Sequence, residues 1–466
     1  MKKLLGILVL GLLWSNLTFA DSKFKYDPVF ANNLVFFNMW LHDNGYEQYV
    51  KKTDVCKGEK KGSKKWVDLR CEIYPEGRML LVNNLNINTY KGRWSVPFKA
   101  NPNKDTLIYY LYKYLHSHNT NDSNTKQWGR YEIQPSKSPY EFKSDLREDK
   151  FVKKEMRNKK LLSYLLFEDD KIVIDEISPK DILGEFVDNT TKFRSNSMGK
   201  SLVAYVAGHA ICAGYIDSVE SEIDDWPLLK GTLYDGQKLI NILNMKAGDQ
   251  KYVYDSMFWD GEEADVELFS KNIYKMQGKK KSKPKYNYNA LLTNLIFNYV
   301  LFKSGDDFEN LLNDIFQKTV RIKDSVYFFR ASKPGTNYTQ ELGDANNMFY
   351  ATKYDYLRIA KAIVNDWQND TCVGKYLKTI YKNRIKKGNV DEPKKNPTKS
   401  YGGQFHMDVS GLKNRKMFVM GGYGGQAIWI DVEESIIVVL NSVHYNHARY
   451  KYNHKKLLVG PFKKNN

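Results

Sequence analysis

The sequence predicts an α+β chain, and three stretches predict it. From residue 416 onward, β-rich runs at 416–421, 426–431 and 435–441 alternate with short turn segments at 422–425 and 432–434, the rhythm of an antiparallel meander. Residues 161–167 and 172–176 flank the acidic tip Glu168-Asp169-Asp170-Lys171 and read as a β-hairpin. Between them, residues 201–213 are apolar on nearly every side, which predicts a helix running through a core.

With 466 residues the chain is too long for one compact core, so two domains are expected behind a leader. Residues 1–20 read as a secretory signal: Lys2 and Lys3 start it, 4–14 form its apolar part, and Thr18 and Ala20 place small residues before Asp21. That apolar part is too short to span a membrane, and no later stretch is long and uncharged enough. The expected product is exported, periplasmic or secreted, without stable membrane insertion. Residues 21–140 carry many aromatics and little catalytic chemistry, and are expected to form an accessory domain of unassigned role. Residues 141–466 hold the chemistry.

Each element follows from local pattern. Strands are expected at 79–88 and 90–98 and a helix at 107–116; charged residues at helical spacing predict an amphipathic helix within 140–160. The hairpin comes next, then the helix of 197–213. A helix over 235–249 ends in a glycine turn, the polar, lysine-ended stretch 261–285 is expected as an exposed loop, and 290–297 opens another helix. An amphipathic helix at 349–366, a basic loop at 385–400, the meander and a closing helix at 445–458 complete the chain.

The formal charge of +18 would suit an acidic polymer, a membrane surface or nucleic acid. The lysines are scattered rather than gathered on one readable element, so no nucleic-acid partner is expected; a solvated basic surface able to associate with cell wall is. Of the four cysteines, Cys56 and Cys71 are expected to pair locally in an oxidising compartment. Cys212 reads as a small buried side chain in the apolar helix, its pairing with Cys372 left open. His116 and His118 lack a nearby ligand cluster and read as a surface pair, so no metal or other cofactor is expected.

The chemistry centres on Ser197-Met198-Gly199-Lys200. At a helix start, a serine and a lysine three positions later share one face, the arrangement of a nucleophile beside its base. Unpaired N–H groups there favour an oxyanion. The same spacing recurs at Ser22/Lys25, Ser123/Lys126, Ser282/Lys285 and Ser410/Lys413, but only Ser197 begins an apolar helix. Tyr288 and Tyr286 both stand just before the next helix, and either could supply a phenol of pKa ~10 that a neighbouring ammonium lowers. His209 reads as a core histidine, and His406 stands in a loop before the last strands.

Taken in order, Ser197-x-x-Lys200, then Tyr288 ahead of a helix, then Tyr423-Gly424-Gly425-Gln426 entering a strand, this chain resembles the serine β-lactamase and penicillin-binding-protein superfamily. It is most similar to the class C β-lactamase-like branch, which includes serine esterases and the 6-aminohexanoate-dimer hydrolase. Gly214–Ser218, Leu243–Gly248, and Tyr350-Ala351-Thr352 with Asp355 and Arg358 add to the likeness, which spans about residues 145–458.

The resemblance implies an antiparallel sheet flanked by helices, a mostly helical subdomain, and Ser197 at their junction. It implies a serine hydrolase working on a small ester or amide: Ser197 as nucleophile, Lys200 and Tyr288 as its base system, and the N–H groups of Ser197 and Gln426 as the oxyanion hole, with Gly424 and Gly425 allowing close approach. Two positions depart from the pattern. Ala290 stands where Asn or Ser usually follows the tyrosine, and Tyr423 where the third motif usually begins with Lys or His. Both changes disfavour β-lactam or D-alanyl peptide recognition; they also keep open a binding protein of the same fold with weak turnover.

Overall fold

The computed structural model describes residues 129–253, 268–330, 345–388, 397–443 and 452–463, with shorter pieces before position 117. The leader, Cys56, Cys71, His118 and the strand expected at 90–98 lie outside the described residues. The chain divides into two compact units, one of residues 1–127 with 443–446 and one of 128–442 with 447–466.

In the first unit, strand β1 (Val50–Lys52) pairs antiparallel with β2 (Arg78–Leu80). Helix α1 (Lys104–His116) buries Leu107, Leu111 and Leu115, each four residues from the next on one face, as the sequence pattern requires.

The second unit opens earlier than residue 141, with β3 (Gly129–Ile133) and β4 (Lys143–Ser144). Asp149 caps α2 (Lys150–Met156), the one helical piece of the 140–160 stretch, by accepting from the N–H groups of Phe151 and Val152. The hairpin forms as expected, β5 (Leu161–Glu168) and β6 (Lys171–Ile177) joined through Asp169 and Asp170. Both aspartates take positive φ, +50° and +60°, which matches the twist of a two-residue hairpin.

Beyond β7 (Phe193–Arg194) comes the apolar helix α3 (Met198–Cys212). The helix expected at 235–249 shrinks to α4 (Leu239–Leu243), because β8 (Glu222–Ile223) pairs with β9 (Gln237–Lys238) before it and Met245 adopts φ +52° after it. The expected loop at 261–285 contains α5 (Leu268–Tyr274), whose Phe269 stacks on buried Trp226 at 6.0 Å; the lysine run masks that short apolar face in the sequence. Helices α6 (Ala290–Ser304) and α7 (Phe308–Asn313) pack with α3 to make the helical subdomain.

A small antiparallel sheet follows, ordered β3-β10-β11-β7 with β10 (Val326–Arg330) and β11 (Ala345–Ala351). The amphipathic helix is α8 (Lys353–Gln368), starting after β11 because Thr352 accepts from Asp355 N–H. Asp355 and Arg358 form a buried ion pair at 2.9 Å that also ties down Lys323 and Asp324 N–H. Helix α9 (Cys372–Lys382) and strands β12 (Ile385–Lys386), β13 (Thr398–Gly402), β14 (Phe405–Val409), β15 (Met417–Gly422), β16 (Gln426–Asp431) and β17 (Ile436–Ser442) precede the short closing helix α10 (His454–Val459).

The main sheet has nine strands in the order β12-β13-β14-β15-β16-β17-β5-β6-β4, antiparallel except where β4 runs parallel to β6. One face packs Tyr164, Leu166, Trp429, Val438 and Leu440 against α2 and α10. The other receives α8, with Trp367 edge-on to Phe418 at 5.6 Å. Strand β5 is covered on both faces, which explains why only Ser163 interrupts its apolar run from 161 to 167.

Cys212 is not a lone buried thiol. It bonds Cys372 across a Cα–Cα distance of 5.8 Å, joining the end of α3 to the start of α9 over 160 residues. Replacing both cysteines by alanine is expected to lower unfolding stability by about 2–4 kcal/mol, by enlarging the unfolded ensemble. Urea melts of both proteins would show this; overlapping curves would refute it.

Candidate active site

The turn that enters α3 is fixed from two sides. Ser195 donates its N–H to Phe349 O (2.8 Å) and accepts from Phe349 N–H through Oγ (3.0 Å), stitching it to β11. Asn196, in the left-handed region at φ +47°, donates from Nδ2 to the carbonyl of Tyr423 at 2.6 Å. That bond fastens the residue before Ser197 to the β15–β16 turn, so two segments 227 residues apart meet.

Ser197 itself is half-buried at the N-cap of α3. The N–H groups of Met198, Gly199 and Lys200 fold back on the carbonyls of Ser195, Asn196 and Ser197. Among the described residues none accepts from the Ser197 N–H, as an oxyanion donor requires. Gly199 lets the first turn sit against β11: a Cβ there would lie 1.8 Å from Asn347 O.

Lys200 is 2 % exposed, and its Nζ lies over the Tyr288 ring, 5.1 Å from the centroid. The geometry thus brings Lys200 and Tyr288 together, an ammonium on the face of a phenol. Tyr286 is buried with its ring 5.2 Å from Tyr401.

What holds Tyr288 in place is invisible in sequence. Asn287 and Asn289, on either side of it, donate to the two oxygens of buried Asp249 at 2.8 and 3.2 Å, and Tyr234 OH adds a third bond at 3.1 Å. Burial raises the Asp249 pKa and these donors oppose the rise. Asn289 also caps α6 by accepting from Leu292 N–H, so its side chain is committed to the scaffold, and Ala290 is the first helical residue. Gln404 acts similarly from the β13–β14 turn: its side chain bonds Leu243 O and Thr293 Oγ1, and its carbonyl accepts from Ser201 Oγ at 2.7 Å.

On the opposite wall, Gly424 and Gly425 take φ +92° and +97°, conformations that side chains other than glycine rarely adopt, and the turn closes with Gly422 facing Gln426. The Gln426 side chain exchanges two hydrogen bonds with the backbone of Ser442, so its orientation toward β17 is set. Tyr423 is half-buried and contributes its carbonyl to Asn196.

His406, expected in a loop, lies on β14, its ring stacked on Tyr288 at 6.1 Å and 28°. Its pKa is held well below the usual value, first by burial and then by the charges of Lys387 and Lys200. Lys387, Tyr401, Asn196 and Asp249 are neighbours that sequence reasoning missed. Among the described residues no cluster suits a metal ion.

No family model matches the chain, and no curated protein does. Among solved structures, a putative 6-aminohexanoate-dimer hydrolase from Bacillus anthracis superposes with a TM-score of 0.56 at 15 % identity, covering 78 % of this chain and 97 % of that one. The chain has the serine β-lactamase and penicillin-binding-protein fold. A class C β-lactamase from Rhodobacter sphaeroides also superposes, with a TM-score of 0.44 at 14 % identity over 67 % of this chain and 95 % of that one. In this chain the turn before α3 meets the β15–β16 turn through Asn196 and Tyr423, and Lys200 of α3 meets Tyr288.

His209, on α3, is a core histidine against Tyr205, with ring centroids 4.7 Å apart, and burial lowers its pKa to about 4. Unfolded, it would titrate near 6.5. Above pH 6.5 neither state is protonated and its effect is nil; as pH falls from 6.5 to 4 the unfolded state gains the proton first. Stability is therefore expected to drop by up to about 3 kcal/mol across that window. Denaturant melts at pH 7 and 4.5 should show a smaller drop in His209→Gln; an equal drop would refute the assignment.

Proposed function

We propose that this chain is an exported serine hydrolase that cleaves a small ester or amide through an acyl-enzyme on Ser197. The observation that carries the reading is the Lys200 amine over Tyr288 at the foot of the same helix that starts at Ser197. In this reading Tyr288, under the Lys200 amine, takes the Ser197 proton. The Ser197 N–H and the N–H of Gln426 receive the oxyanion, and no metal or organic cofactor takes part.

Ester or amide substrates are favoured over β-lactams and D-alanyl peptides. Ala290 has no polar group to hold a substrate amide, the Asn289 side chain is tied to Asp249 and the α6 cap, and Tyr423 brings no cation. Export accords with the leader-like start and with the Cys212–Cys372 bond, since such bonds persist in oxidising compartments.

The test is labelling with a fluorophosphonate probe beside turnover of p-nitrophenyl esters of increasing chain length and of nitrocefin. Labelling lost in Ser197→Ala, with ester turnover, is expected. An intact protein that takes no label would overturn the reading in favour of a binding protein; strong nitrocefin turnover would overturn the substrate ranking.

A further inference from the structure

Two basic groups beside the serine centre have no task in that mechanism, Lys387 and His406. Lys387 follows β12, is 3 % exposed, and places Nζ 2.7 Å from Thr398 Oγ1 and 2.6 Å from His406 Nδ1. An ammonium can only donate, so Nδ1 must accept, and a neutral imidazole that accepts at Nδ1 carries its proton on Nε2. The ring is held by the stack on Tyr288, by Tyr401 edge-on at 5.1 Å, and by strand pairing with Tyr401 and Val419. Its Nε2 edge faces Gly421 of β15, where even a Cβ would come only to 4.0 Å, so that neighbour leaves the edge uncovered by a side chain.

We propose that Lys387 holds His406 as a neutral Nε2–H donor, and that this donor binds a second carbonyl oxygen of the substrate, away from the bond that is cut. Lys387 is then a positioning residue and His406 a specificity-determining one, and the favoured substrates are esters or amides with another carbonyl in the same molecule, such as diesters or oligoamides. This rests on the hydrolase reading above for its substrate half; the protonation half stands independently.

Among the described residues, the titratable groups facing His406 are Lys387 after β12, Lys200 on α3, Tyr288 before α6 and Tyr401 on β13. Both lysines oppose a proton on the ring. Asp408, the carboxylate nearest along β14, is paired with Arg384 at 2.9 Å. A carbonyl arriving between Tyr288 and β15 would therefore meet a donor that does not change charge near neutral pH.

Two measurements test this on the full chain. Long-range proton–nitrogen correlation spectra of histidine-labelled protein should show His406 with Nδ1 unprotonated and no titration from pH 5 to 8; Lys387→Met should mix the tautomers and bring titration into that range. A ring that titrates normally in the parent protein, or a spectrum that Lys387→Met leaves as it was, would overturn the proposal. In kinetics, His406→Phe should raise KM for methyl p-nitrophenyl succinate about 3–10-fold more than for p-nitrophenyl acetate, the loss expected for one neutral hydrogen bond. His406→Gln, which keeps a side-chain N–H, should recover part of that difference. Equal effects on the two esters would overturn the substrate half, whereas absence of any ester turnover and of probe labelling would instead sink the hydrolase reading.

Discussion

Lys200→Met is expected to lower kcat by about 10³-fold or more, because members of a nucleophile–base unit fail together. Stability should move the other way or hardly at all. Lys200 is 2 % exposed, and methionine fills a similar length without the cost of holding a charge away from water. Tyr288→Phe keeps the ring under the amine and removes one oxygen, so it isolates the proton-transfer role. A loss of about 10²–10⁴-fold is expected for a general base. Steady-state rates on a p-nitrophenyl ester, beside melting curves, read both outcomes. Either variant retaining more than about a tenth of the parent kcat would remove its residue from the mechanism.

Gly199→Ala should be the most damaging single methyl in the molecule's chemistry. In isolation alanine favours a helix over glycine by about 0.5–1 kcal/mol. Here the added carbon would stand 1.8 Å from the Asn347 carbonyl oxygen, a backbone atom of β11 that cannot swing aside. Overpacking of that kind costs about 3 kcal/mol, so repulsion exceeds the propensity gain. Relief requires α3 and β11 to part, and a shift near 1 Å at the nucleophile is enough to cost about 10²-fold in rate. Thermal melts and ester kinetics on this variant should fall together; a variant as stable and active as its parent would show that the contact is looser than the geometry indicates.

The parts that were legible in the sequence are those encoded locally. The β5–β6 hairpin, with its two aspartates at positive φ, and the β15–β17 meander follow from alternation and turn residues within short windows. Ser197 and Lys200 lie on one helix, so their spacing alone predicts a shared face. Tyr288 became visible only through the order of motifs, since nothing local links it to Lys200. Asp249, Gln404, Asn196 and Lys387 were not legible, because each acts on a segment far along the chain: Asp249 on Asn287 and Asn289, Asn196 on Tyr423, Lys387 on His406. The short α5 was hidden because its two buried apolar positions, Phe269 and Ile273, produce no clear period.

Helix α3 has Ser197 at one end and Cys212, bonded to Cys372, at the other. It therefore behaves as a beam clamped at both supports, with hydrogen bonds at the front and a covalent tie at the rear. Material produced in a reducing cytosol would lack the rear clamp, and batches from different hosts could carry the same polypeptide with different thermal endurance. Comparisons of activity between preparations are meaningful only once the thiol content of each has been titrated.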